Sequence, residues 1–149
     1  MNFGLAITVS YEVENKSNII QLLSDNLKFH FKDRQYATDI KTYTIGIVCI
    51  SPKFDQFYKK EIKPKYTKGV RNISPDGIPF KLEDSFEYRI KIDFENFRNA
   101  DEEESKKILA KDILASLVVF EKVKSKIKDF DMTGFKSDLE EYFKSLKLV

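Results

Sequence analysis

The run Thr42-Tyr-Thr-Ile-Gly-Ile-Val-Cys-Ile50 constrains the fold more than any other stretch, because it is apolar at nearly every position. A strand of this kind, from Tyr43 to Ile50, has no face to offer water, so it must lie inside a sheet with cover on both sides. It ends at Ser51-Pro52, a pair that starts helices: serine serves as N-cap, and proline fits N1, where its missing N–H is not needed. Phe54, Phe57 and Tyr58 then share one face of a short helix.

Two other segments alternate with period two. Phe3, Leu5, Ile7, Val9, Tyr11 and Val13 form one, and Phe86, Tyr88, Ile90, Ile92 and Phe94 form the other, set against Glu87, Arg89, Lys91 and Asp93. Each predicts a strand with one dry face. Leu27, Phe29 and Phe31 alternate with Lys28, His30 and Lys32 and predict a half-exposed strand. Helical spacing links Ile19, Leu22, Leu23 and Leu27 behind a cap at Asn15 or Ser17. It links Ile108, Ile113, Leu114, Leu117, Val118 and Phe120 behind Asn99 and Glu102, which stand at capping-box spacing. A last helix follows Asp131, with Phe135, Leu139, Tyr142, Phe143 and Leu146 on one side.

The resulting order is β, α, β, β, short α, loop or strand, β, α, α. Several successive strands lack crossover helices, so the pattern predicts an α+β fold with a mainly antiparallel or mixed sheet. Helices pack on one face of it, and two of them close the chain. With 149 residues, no internal repeat and no long linker, residues 1–149 are expected to form a single domain.

Composition narrows the chemistry. The one cysteine, Cys49, sits in the apolar run and reads as a small buried hydrophobe in a reducing compartment, the cytoplasm. The amino terminus lacks the pattern of a secretory signal, and no apolar run approaches the ~20 residues needed to span a bilayer, so no membrane partner is expected. The one histidine, His30, falls on the lysine-bearing side of its expected strand and reads as solvated. A Cys49–His30 dyad needs neighbouring strands and a common facing, and nothing local marks Cys49 as a low-pKa thiol.

One cysteine and one histidine do not furnish a zinc site. The acids from Asp101 to Glu104 read as a solvated helix start, since consecutive helical positions fan out around the axis. No glycine-rich phosphate cradle is present. Glu83, Asp84 and Glu87 are available for acid–base work but follow no specific pattern. No catalytic, cofactor-binding or metal-binding residue is therefore expected, and the chain reads as a non-enzyme.

The net charge of +2 is too small to argue for a polyanionic partner, but it is unevenly spread. Lys53 to Arg71 holds seven basic residues against two acidic ones, while Asp76 to Glu104 holds ten acidic against four basic. The stretch Lys65 to Phe80 contains Ser-Pro-Asp-Gly, a turn signal, with Tyr66 to Ile73 as an edge strand or ordered loop whose lysines discourage edge pairing. It also sets tyrosines among lysines. Tyr58, Lys65, Tyr66, Lys68 and Arg71 make a basic candidate surface for a partner, and Asp76, Glu83, Asp84 and Glu87, with Asp93 beyond, make an acidic one. Protein recognition is the first reading. Binding of single-stranded nucleic acid, with bases stacked on tyrosine and phosphates neutralised by lysine, ranks second, without a known nucleic-acid motif to support it; 22 lysines against 4 arginines disfavour sequence-specific reading. A small-ligand-binding or enzyme domain ranks third.

The succession YTIGIVCISPKFDQFY, KPKYTKG, PDGIPFKLED and FEYRIKIDFENF, followed by a helical carboxyl-terminal third, resembles the immunity proteins of bacterial polymorphic toxin systems. The resemblance covers Tyr43 to Leu148. It implies a cytoplasmic, stoichiometric inhibitor that binds a cognate toxin and blocks its active site without catalysis. These families have diverse folds, and no contact residue carries over by motif.

Overall fold

The computed structural model describes residues 2–9, 11–36, 42–49, 65–67, 71–73, 79–81, 85–123 and 130–149. Strand β1 (Asn2–Val9) leads through a 3-10 segment (Tyr11–Lys16) into helix α1 (Ser17–Phe31), and β2 follows (Thr42–Cys49). Three short strands come next, β3 (Lys65–Thr67), β4 (Arg71–Ile73) and β5 (Pro79–Lys81), and then the longer β6 (Ser85–Lys91). Helices α2 (Phe94–Asn99), α3 (Glu102–Val123) and α4 (Met132–Ser145) complete the order.

The sheet runs β1-β2-β6-β3, while β4 and β5 pair separately and antiparallel. The α+β class is as expected, with the two long C-terminal helices in place. The mainly antiparallel sheet is not: β1, β2 and β6 run parallel throughout, and only the three-residue β3 joins β6 antiparallel. The reason lies in Leu27 to Phe31, whose alternation suggested a strand but which forms the last turns of α1. Ile20, Leu23, Ser24, Leu27 and Phe31 are its buried residues, a helical spacing, while Phe29 is 73% exposed. Helix α1 is thus the crossover that parallel pairing of β1 with β2 requires.

Other boundaries shift for similar local reasons. Strand β1 stops at Val9, and Val13 is buried from a 3-10 turn rather than from a strand. Strand β6 stops at Lys91 because Asp93 caps α2, its carboxylate accepting the Asn96 N–H at 2.8 Å. Helix α3 is capped by Asp101, which accepts from the Glu104 N–H at 2.8 Å, and not by Asn99. The helix expected after Ser51-Pro52 lies outside the described residues.

The core collects where β1 and β2 meet the helices. Phe3 and Tyr43 are register partners, and Phe31 of α1 and Phe135 of α4 both reach Phe3 edge-on with centroids 5.3 Å apart. Edge-to-face pairs of this kind add roughly 0.5–1.5 kcal/mol each beyond the burial of their area. Tyr43, Ile45, Ile47 and Cys49, which share one face of β2, are fully buried, while Thr44 on the other face is half-buried. On the outer edge of β1, α1 satisfies Leu5: Ser24 Oγ accepts the Leu5 N–H at 2.9 Å and donates to the Leu5 carbonyl at 3.2 Å. A hydroxyl here does what a further strand would otherwise do.

Candidate functional site

Helix α3 builds two clefts from its two flanks. Glu104, Lys107, Ile108 and Lys111, at successive helical spacings, face an open groove of about 710 Å³ whose far wall is α2 with Asp93 and Glu95. Glu103 and Lys106 face a smaller cleft of about 180 Å³ against α1, lined there by Ile19, Leu22 and Leu23. The buried stripe between the flanks, Leu109, Ile113 and Leu117, anchors α3 in the core.

The end of α4 separates the clefts. Leu148 N–H bonds to the Phe143 carbonyl at 3.0 Å and Lys147 N–H to the Lys144 carbonyl at 2.9 Å, the pair of bonds of a Schellman turn. This turn requires a left-handed residue, and Lys147 supplies it with φ 59°. Leu148 is thereby buried and lines both clefts, while Leu146 stays 41% exposed in the smaller and Val149 51% exposed in the larger. Leu22, also in the smaller cleft, is 53% exposed.

Charge in the groove is unbalanced. Asp93, Glu95, Glu104 and Asp112 stand against Lys107 and Lys111. Burial pushes the Asp112 carboxyl above its ordinary range and Asp93 pushes it the same way, with Lys111 opposing. In the smaller cleft Lys106 pairs with Glu103 at 3.3 Å and with Glu102 at 3.5 Å.

A second polar cluster joins α1 to α4. The Tyr36 hydroxyl donates to Asp138 Oδ2 at 2.5 Å, and Arg34 pairs with the same oxygen at 3.0 Å. The His30 ring stacks on Tyr142 with centroids 4.1 Å apart. Burial lowers the His30 pKa, Arg34 lowers it further and Asp138 opposes. His30 is thus half-buried on a helix, not solvated on a strand. Cys49 is fully buried on β2, its thiol pushed up to about 11 by burial, with Asp93 raising it and Lys16 lowering it. His30 thus stacks on Tyr142 from α1, while Cys49 is buried on β2. Among the described residues no group of three or more His, Cys, Asp or Glu is placed to hold a metal ion, and no helix is long and apolar enough to cross a membrane.

A comparison with protein families matches residues 1–145 to immunity protein 44. The chain belongs to the immunity protein 44 family. No curated protein and no solved structure matches it. The family is one of those that the central strands and helical carboxyl-terminal third resemble, and the match extends that likeness to β1 and α1.

In this immunity protein 44 member the residues singled out from the sequence are only partly described. Lys65 and Tyr66 lie on β3, where Lys65 is the register partner of Glu87 and Tyr66 of Phe86. One basic and one acidic candidate are therefore register partners on a single strand pair. Arg71 lies on β4, in register with Lys81 of β5. Tyr58, Lys68, Asp76, Glu83 and Asp84 lie outside the described residues. Asp93, from the acidic stretch, reaches the groove.

Sequence reasoning missed the Leu22, Leu146 and Val149 surface, because exposed leucines on an amphipathic helix look like core positions. It also missed Lys16, which is buried and holds the α2–α3 corner that shapes the groove. No local pattern distinguishes that lysine from its solvated neighbours.

Proposed function

We propose that the chain binds a cognate protein toxin and neutralises it stoichiometrically, with no catalysis of its own. The observation that carries this reading is the family match over residues 1–145. The chemistry of the described groups supports a mode of action by fit: the Cys49 thiol is buried and held protonated, and the His30 ring is committed to a stack with Tyr142. A tight protein inhibitor needs roughly 800 Å² of its own surface with a few anchoring side chains. Lys65, Tyr66, Arg71 and Glu87 are candidate contacts, with Tyr58, Lys68, Asp76, Glu83 and Asp84 near them in sequence.

The test is co-expression with the protein encoded by the neighbouring reading frame. That protein is expected to arrest growth alone, to be harmless beside this chain, and to purify with it as a complex of fixed ratio. A harmless neighbour, or a toxic one that this chain neither binds nor restrains, would overturn the reading.

A further inference from the structure

We infer that the two clefts astride the C-terminal turn form one docking surface for a basic, apolar-tipped element of the toxin. The inference rests on the toxin-binding reading above and names the face that performs it. Three observations carry it.

The first is continuity. Leu148 lines both clefts, so they adjoin at the C-terminal turn. The second is the arrangement of polarity. Three of the four large apolar side chains exposed among the described residues, Leu22, Leu146 and Val149, lie here, in a frame of carboxylates and lysines. An apolar centre within a charged rim is the anatomy of a protein interface, and isolated surface leucines elsewhere would carry no such meaning.

The third observation is charge. The larger groove carries four carboxylates against two ammonium groups, on a chain whose net charge is +2. Its sign is opposite to that of the molecule as a whole. A cationic partner is therefore drawn to this groove and turned away from much of the remaining surface, which sets orientation as well as encounter rate. Lysine or arginine side chains on the toxin enter beside Glu95, Glu104 and Asp112. An apolar side chain of the toxin covers Leu22 and Leu146. Carboxylates that occupy basic residues of the toxin in this way also compete with any anionic substrate those residues serve.

The experiment uses the full-length chain and a catalytically inactivated form of the neighbouring-frame toxin, with affinity measured by calorimetry at two salt concentrations. The double variant Glu95→Lys with Glu104→Lys is expected to raise Kd by ~100-fold or more and to flatten the salt dependence. Leu22→Glu and Leu146→Glu are each expected to raise it by ~10-fold. Asp33→Lys, outside both clefts, is expected to leave it unchanged. Hydrogen exchange on the unaltered complex gives a readout that needs no variant: amides of 93–112 and 146–149 gain protection. Unchanged affinity in the cleft variants, or protection confined to β3 and β6, would overturn this surface while leaving the toxin reading intact. Failure of the unaltered chain to bind the toxin overturns both.

Discussion

Lys16 Nζ donates to the Ala100 carbonyl oxygen at 2.5 Å, joining residues 84 positions apart in the chain. The same ammonium donates to Ser105 Oγ at 2.8 Å and lies 5.0 Å from the Phe97 ring centroid. It thereby fastens the turn after β1 to the corner at which α2 gives way to α3. Asp93 and Glu95 lie on one side of that corner and Glu104 on the other, so the angle of the groove depends on a buried lysine.

Replacing it tests the tie. Lys16→Met keeps the length of the side chain and leaves the Ala100 carbonyl and the Ser105 hydroxyl without their donor, at a cost of about 1–3 kcal/mol in urea unfolding. The effect depends on pH. Burial lowers the Lys16 pKa in the folded chain below the ordinary 10.5. Between the folded value and 10.5 the unfolded chain binds more protons than the folded one, so stability conferred by Lys16 rises with pH across that window. The gap between the native chain and Lys16→Met is therefore expected to widen from neutral to alkaline pH. A gap that narrows would show that the ammonium is not desolvated as its burial implies.

How much of this was readable in advance follows from where two periodicities compete. Leu139 and Phe143 of α4 and Ile113 and Leu117 of α3 repeat at helical spacing over several turns, and both helices are present where that stripe lies. Leu27 and Phe31 fit a period of two as well as a spacing of four, and the exposed Phe29 between them tipped the balance wrongly toward a strand. That one misreading shortened the crossover helix and set an extra strand behind it, and the run of successive strands then argued against the parallel sheet. In the candidate surface, the acidic side chains were visible as a charge run, but their concave arrangement was not. It depends on Lys16 and on a Schellman turn with lysine where glycine is the usual signal.

Asp138 gives a pH dependence of the opposite sense. The hydrogen bond from Tyr36 and the pairing with Arg34 hold its carboxyl below the ordinary 3.8. A depressed folded value means the contribution is complete above 3.8 and disappears as pH falls through the folded pKa. Asp138→Asn is expected to be less stable than the native chain at neutral pH by about 0.5–1 kcal/mol, a modest figure because the pair is part-exposed and screened. The two are expected to converge in acid, followed by urea titration at several pH values.

Ser24 pairs with Leu5 on the edge strand of the sheet, and its loss is local. Ser24→Ala removes the partner of both the Leu5 N–H and the Leu5 carbonyl, a buried pair that water does not replace. Destabilisation of about 1–3 kcal/mol is expected. The Leu5 amide should also exchange with solvent faster than its neighbours in β1, measured by NMR. Equal slowing or quickening along the whole strand would point to global stability alone.

Lys147 separates the stability of the C-terminal turn from its use as a surface. An L side chain at φ 59° costs roughly 1–2 kcal/mol that glycine does not incur, less what glycine loses in the unfolded chain. Lys147→Gly is therefore expected to stabilise the fold by about 0.5–1 kcal/mol while keeping both turn hydrogen bonds. Lys147→Val acts in the other direction: a β-branched residue resists the left-handed region, the turn opens, and Leu148 leaves the wall it shares between the clefts. Toxin affinity should then survive the glycine substitution and fall with valine, even when both are measured well below their unfolding temperatures. Equal affinities for the two variants would mean that the turn serves α4 alone.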